Sequence, residues 1–189
     1  MNRERIVWIT RTALLLALTI AAQTVFRMII AEGISQTFII GSTVNLLLIT
    51  AAVTGGFWSG FVVAVFTPIM ALIQGHIPPF PQMAVAVAVG NLTLVLVFCT
   101  VKILQEKKFG NDTIRLSVLT VIGALLKSAV LYVGVVKIVI PTAMGALPPA
   151  KKVAISMGFS WPQIVTAIIG GIIFTLIYPT LKKAIRNNK

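Results

Sequence analysis

Six near-continuous apolar stretches, separated by short polar, proline or glycine breaks, constrain this chain more than any other feature. A hydrocarbon core about 30 Å thick takes roughly 20 residues of helix at about 1.5 Å each. The stretches 8–30, 37–53, 56–73, 83–104, 114–140 and 161–178 approach that length. Their apolar residues run all round each helix, so no face is reserved for water. The expectation is an all-α integral membrane bundle of six transmembrane helices in a single domain, 1–189. With 58% of residues hydrophobic and 11% charged, no segment remains for a soluble catalytic domain. The first stretch follows Arg3 and Arg5, as a signal peptide would, but it is too long for an h-region and reads as a helix.

Sixteen Lys and Arg stand against four acids, a formal net charge of +12. Nucleic-acid binders share such an imbalance, but the hydropathy argues for a membrane and against a nucleic-acid partner. Placing the N-terminus in the cytoplasm puts Arg3, Arg5, Arg11, Lys102, Lys107, Lys108, Arg115, Lys182, Lys183, Arg186 and Lys189 on one side. Arg27, Lys137, Lys151 and Lys152 fall on the other, so both termini are expected to be cytoplasmic. Much of the charge then serves topology and attraction to anionic lipid. A single cysteine, Cys99, excludes disulfide scaffolds, zinc ribbons and iron–sulfur carriers.

The outward connections hold most of the prolines. Pro78, Pro79 and Pro81 stiffen the 74–82 segment, and Pro141, Pro148 and Pro149 stiffen the last loop. Rigid loops over a bundle suit a lid on a pocket, although prolines also simply stop helices at a membrane surface. Small residues recur every fourth position at Ala13, Ala17 and Ala21, and again at Gly56, Gly60 and Ala64 ahead of Pro68. Each series makes a face on which another helix can pack closely.

Polar residues inside the spans carry the sharper signal, because each is costly in lipid unless turned to a partner or cavity. Gln23, Asn45, Asn91 and Tyr132 lie seven or eight residues from the outer ends, roughly 10–12 Å deep at ~1.5 Å per residue. Interhelical hydrogen bonding is the plainer role for each of them. Lys127 lies mid-span, where a lysine costs roughly 2.5–3.5 kcal/mol on insertion scales. All four acids fall in tails or loops, so its ammonium must meet carbonyls, water or an electronegative ligand, or else lose its proton through desolvation. Lys137, Arg27, His76 and Gln163 are placed near the outer rim. Together these nine residues form the candidate ligand site, one favouring a small polar or anionic compound such as pantothenate or a folate.

Several functions have no residues to carry them. No intramembrane acid offers a proton relay or sodium site, no Walker loop offers ATP binding, and His76 has no acid or nucleophile beside it in sequence. The chain reads as a binder, not an enzyme, with no cofactor and no metal, and without the means to power transport alone.

This pattern resembles the substrate-binding S components of energy-coupling factor (ECF) transporters, the membrane subunits of bacterial vitamin importers. The resemblance covers nearly the whole chain. It rests on the length, six helices and inward termini, on Arg11-Thr12-Ala13-Leu14-Leu15-Leu16-Ala17-Leu18, and on Gly56-Phe57-Trp58-Ser59-Gly60 leading to Pro68. It implies that Ala13 and Ala17, with Ala21 extending them, dock on a transmembrane coupling subunit, and that two ATPase subunits supply the energy. It also implies a nutrient bound under the outer loops and carried inward by toppling of the whole subunit in a bacterial cell membrane. It does not name the ligand. A stand-alone facilitator or channel for small solutes, or a structural membrane protein whose polar layer only joins helices, are the alternatives.

Overall fold

A computed structural model describes residues 3–187, and among these every regular element is helical. They are α1 (Arg3–Ile29), α2 (Ile34–Ile73), α3 (Pro81–Cys99), α4 (Val101–Glu106) and α5 (Asp112–Leu131). A π-helical segment (Tyr132–Val139), α6 (Ile140–Ala143), α7 (Pro149–Gly158) and α8 (Trp161–Asn187) follow. Five helical stretches are long and apolar enough to cross a membrane: Arg3–Ile29, Ile34–Ile73, Pro81–Glu106, Asp112–Ala143 and Pro149–Ile185. That is the signature of a multi-pass membrane protein. The surface agrees, since Leu14, Leu18, Met28, Val85, Leu125 and Leu176 are exposed while Thr12, Thr19, Asn45, Asn91, Lys127 and Thr166 are buried.

The 40 residues of α2 combine the second and third apolar stretches, because helical hydrogen bonding is nearly continuous past Thr54. The backbone nevertheless leaves the helix at Gly56, with φ 76° and ψ −170°. This region is essentially reserved for glycine, and it folds α2 into a hairpin. The far ends of both arms meet Arg27: Gln36 Nε2 donates to Arg27 O at 3.3 Å, and Arg27 Nη1 donates to His76 O at 2.8 Å. Replacing Gly56 with alanine should cost about 1–3 kcal/mol through strain at this one residue. Thermal unfolding in detergent reads the loss, and an unchanged midpoint would show that the hairpin does not depend on this conformation.

Helix α1 runs parallel to the second arm. Trp8 Nε1 donates to Gly55 O (2.9 Å), Thr12 Oγ1 to Ser59 Oγ (2.9 Å) and Thr24 Oγ1 to Gln74 Oε1 (3.3 Å), so the partners rise together along both chains. Gln36 Nε2 also donates to Ile30 O at 2.8 Å and satisfies a carbonyl that the end of α1 leaves open. Helix α2 touches α1, α3 and α8, and α5 closes the bundle against α3 and α8. One core cluster joins Leu48, Ile49, Val63, Leu94, Phe98 and Phe174. A second, under the Pro-rich loops, joins Met83, Val135, Val139 and Met144, with Ile77, Phe80 and Phe159 packed on it.

Hydropathy places the bulk of each helix and misplaces its ends, because it records where a helix is apolar and not where hydrogen bonding stops. The stretch 83–104 starts earlier, at Pro81, and breaks at Thr100, whose hydroxyl donates to Val97 O at 2.6 Å. The stretch 114–140 extends to Asp112 and Ala143 through the π-helical turns. The last outer loop is partly helical: α7 occupies 149–158, with proline at its first turn, where a missing N–H costs nothing. Helix α8 continues nine residues past 178, into the basic tail. At that end Asp112 accepts from Arg115 (2.5 Å) and Lys182 (2.6 Å), tying the start of α5 to α8. Of these two bases only Lys182 joins separate helices, since Arg115 lies on α5 with Asp112.

Candidate functional site

The site begins with a bond the backbone cannot make. Pro68 lies inside α2 and has no N–H, so the carbonyl four residues earlier, Ala64 O, loses its helical donor. Asn91 Nδ2 of α3 donates to Ala64 O at 3.4 Å instead. This fixes which way the amide points and turns Asn91 Oδ1 to Lys127 Nζ of α5, 2.8 Å away. A matching arrangement stands opposite: Asn45 Nδ2 of α2 donates to Thr166 Oγ1 of α8 at 3.2 Å, and Asn45 Oδ1 accepts from Lys127 Nζ at 2.5 Å. Thr166 passes its own proton to Gln163 O at 3.2 Å. Three helices meet at one ammonium and α8 joins them through Asn45, and Lys127 is only 3% exposed.

Lys127 therefore rests on two neutral oxygens. Among the described residues it has no carboxylate partner and no third acceptor, although an ammonium carries three donors.

Above this cluster lies a cavity of about 200 Å³. Asn45, Asn91 and Lys127 are at its floor, and Val44, Pro68, Ala71, Val87 and Leu131 contribute apolar wall. Arg27, Gln36, His76 and Ile77 line it at the loop end, together with Phe159 and Gln163 beside α7. None of the lining residues is acidic. Two buried polar atoms in the lining have no partner: Gln23 Oε1 and Thr67 Oγ1.

At the mouth, Arg27 holds the His76 carbonyl and lies 3.8 Å from Glu32, whose side chain is exposed. Burial, and then the Arg27 charge, push the His76 imidazole below its ordinary pKa. It is therefore neutral at pH 7, since that ordinary value is about 6.5.

Seven of the nine residues singled out in the sequence line this cavity: Gln23, Arg27, Asn45, His76, Asn91, Lys127 and Gln163. Tyr132 and Lys137 stand outside it. Tyr132 is exposed, and Lys137 Nζ sits 5.6 Å from the centre of its ring, a cation–π pair away from the cavity. Sequence reasoning passed over Thr67, Gln36, Phe159 and Thr166. The signal available for this region was Pro68, which announces an unpaired carbonyl one turn earlier.

Ala13, Ala17 and Ala21 are all exposed, so this series faces away from the rest of the chain. The second series behaves oppositely: Ala64 is fully buried and Gly60 is packed against Val95 of α3. The two sides of α1 thus differ, with Gln23 in the cavity wall and the alanines outside. Comparison with family models, with curated proteins and with solved structures matched nothing to this chain.

Proposed function

We propose that this chain is the substrate-binding S component of an ECF-type importer in a bacterial cell membrane, crossing six times with both termini cytoplasmic. The observation that carries the reading is a loop-covered cavity whose floor holds a buried cation and whose wall holds unpartnered polar atoms. Gln23 Oε1 and Thr67 Oγ1 lack partners on residues that line the cavity, as Ser42 Oγ and Ser128 Oγ do away from it. The weight of the reading therefore falls on Lys127 at the cavity floor, where a binding role accounts for a polar group that is costly to bury. Below the floor, Leu48, Ile49, Val63, Leu94 and Phe98 fill the bundle, which argues against a continuous path for a facilitator.

Two further features support the reading. The Gly56 hairpin returns both arms of α2 to Arg27 and so favours six crossings. The exposed Ala13-Ala17-Ala21 face leaves a close-packing surface for a coupling subunit. In this reading two ATPases act through that subunit, and Lys127 and its neighbours hold the nutrient without catalysing a reaction.

Reconstitution tests it. Liposomes holding the chain alone should bind the compound recovered from the purified protein and should not accumulate it. Adding a coupling subunit and two ATPases should give ATP-dependent accumulation, whereas uptake by the lone chain would overturn the proposal.

A further inference from the structure

We infer that the cavity takes a compact monocarboxylate bearing one hydrogen-bond donor, with the carboxylate on Lys127 and Thr67 and the donor on Gln23. This rests on the proposed binding role and names the chemistry of that site.

Charge comes first. As an ammonium, Lys127 is solvated by two amide dipoles, with one N–H unspent and no acid in the surrounding wall. A ligand bringing one negative charge neutralises the site, whereas a neutral ligand leaves the charge uncompensated. A phosphate dianion would bury an excess negative charge, and Arg27, already held by His76 O and Glu32 at the mouth, is not free to balance it.

Thr67 supplies a second donor. Many helical threonines of this protein give their proton to the carbonyl four residues back, as Thr24, Thr50, Thr93, Thr120 and Thr175 do, and Thr12 and Thr166 give theirs to other oxygens. Thr67 does not, although it is 1% exposed and therefore has no water to turn to on an outer surface. Thr67 and Lys127 both belong to the lining of one cavity. A hydroxyl and an ammonium lining one cavity suit the two oxygens of a carboxylate.

Gln23 Oε1 is an unpartnered acceptor in the opposing wall, contributed by α1. It calls for a ligand hydroxyl or ring N–H. Size adds a further preference: 200 Å³ lies below the ~300–1,000 Å³ of drug-sized pockets. A compact acid fits this volume better than a folate.

The test uses the full chain in detergent and reads the thermal stabilisation produced by a boiled metabolite extract of host cells. Anion-exchange depletion of the extract should remove the stabilising activity, as should carbodiimide amidation of its carboxylates with ammonia. Phosphatase treatment should leave it intact. Amidation is expected to weaken the response roughly ten- to hundred-fold, the range for a hydrogen bond to a charged group.

Thr67→Val should unfold at the wild-type temperature without ligand, because the lost hydroxyl has no partner, yet need several-fold more extract for the same shift. Activity that survives anion exchange or amidation, or that phosphatase destroys, overturns the carboxylate while leaving a binding protein. An unaltered response in Thr67→Val overturns the seat at Thr67. An untreated extract that stabilises nothing overturns the binding role itself.

Discussion

Lys127→Met is expected to abolish ligand-induced stabilisation, weakening binding by at least ~100-fold, while the unliganded protein still folds. Loss of a hydrogen bond to a charged group accounts for about 1.5–3 kcal/mol, and removal of the positive charge at the cavity floor adds to it. Folding responds in two opposing ways. Asn45 Oδ1 and Asn91 Oδ1 lose their shared donor, at about 1–3 kcal/mol each. Against this, an ion that had to be taken out of water is gone, which relieves several kcal/mol. The melting temperature without ligand should therefore stay within a few degrees of wild type. Titration with the compound recovered from wild-type protein checks the first half and a thermal ramp without ligand the second. Stabilisation that persists in Lys127→Met would show that the ammonium only joins helices.

Gly170→Val should produce the largest loss of stability. A Cβ at Gly170 would fall 2.8 Å from Ser42 O and 2.9 Å from Leu46 N, and these are backbone atoms that no rotamer change can move aside. The neighbouring Gly171 faces Thr120 of α5 still more closely, leaving no space for a methyl group beside the threonine hydroxyl. Helix α8 is thus wedged between α2 and α5 by two adjacent residues without side chains. That approach also carries Thr166, one turn earlier, to within 3.2 Å of Asn45. Overpacking costs typically 1–3 kcal/mol and sometimes more, and here the larger figure applies. With 1 kcal/mol worth roughly 2–4 °C in a chain of this size, the midpoint should fall by about 6–12 °C. Gly145→Ala, where a Cβ meets nothing within 4 Å, should unfold as wild type does. Equal midpoints for the two variants would contradict the close approach of α8.

Much of the site was legible in the sequence because a membrane makes polar residues expensive. Asn45, Asn91 and Lys127 could be singled out by depth alone, and depth in a helix follows from a fixed rise per residue. Tyr132 shows the limit of that reasoning: it has the same depth as the others and a different azimuth. Residues 132–139 wind as a π-helix, so the angle gained per residue between Lys127 and Lys137 differs from that of an α-helix. Thr67 was invisible for another reason. Its chemical interest is a hydrogen bond that it does not make, and in sequence it resembles every other helical threonine. The hairpin at Gly56 falls at the break between the stretches 37–53 and 56–73, but α7 was not legible, because three prolines and two lysines near it suggest a loop until the N1 position of Pro149 is recognised.

Pro68 sets rigidity of the fold against fidelity of the site. An alanine there would restore the amide proton that Ala64 O lacks, and the helix by itself would gain. Asn91 would then lose the anchor for its nitrogen, and its amide could turn either end to Lys127. A donor facing an ammonium repels it, so the better helix would hold a worse cradle. The proline thus withholds one helical hydrogen bond from α2 and thereby sets which end of the Asn91 amide faces Lys127.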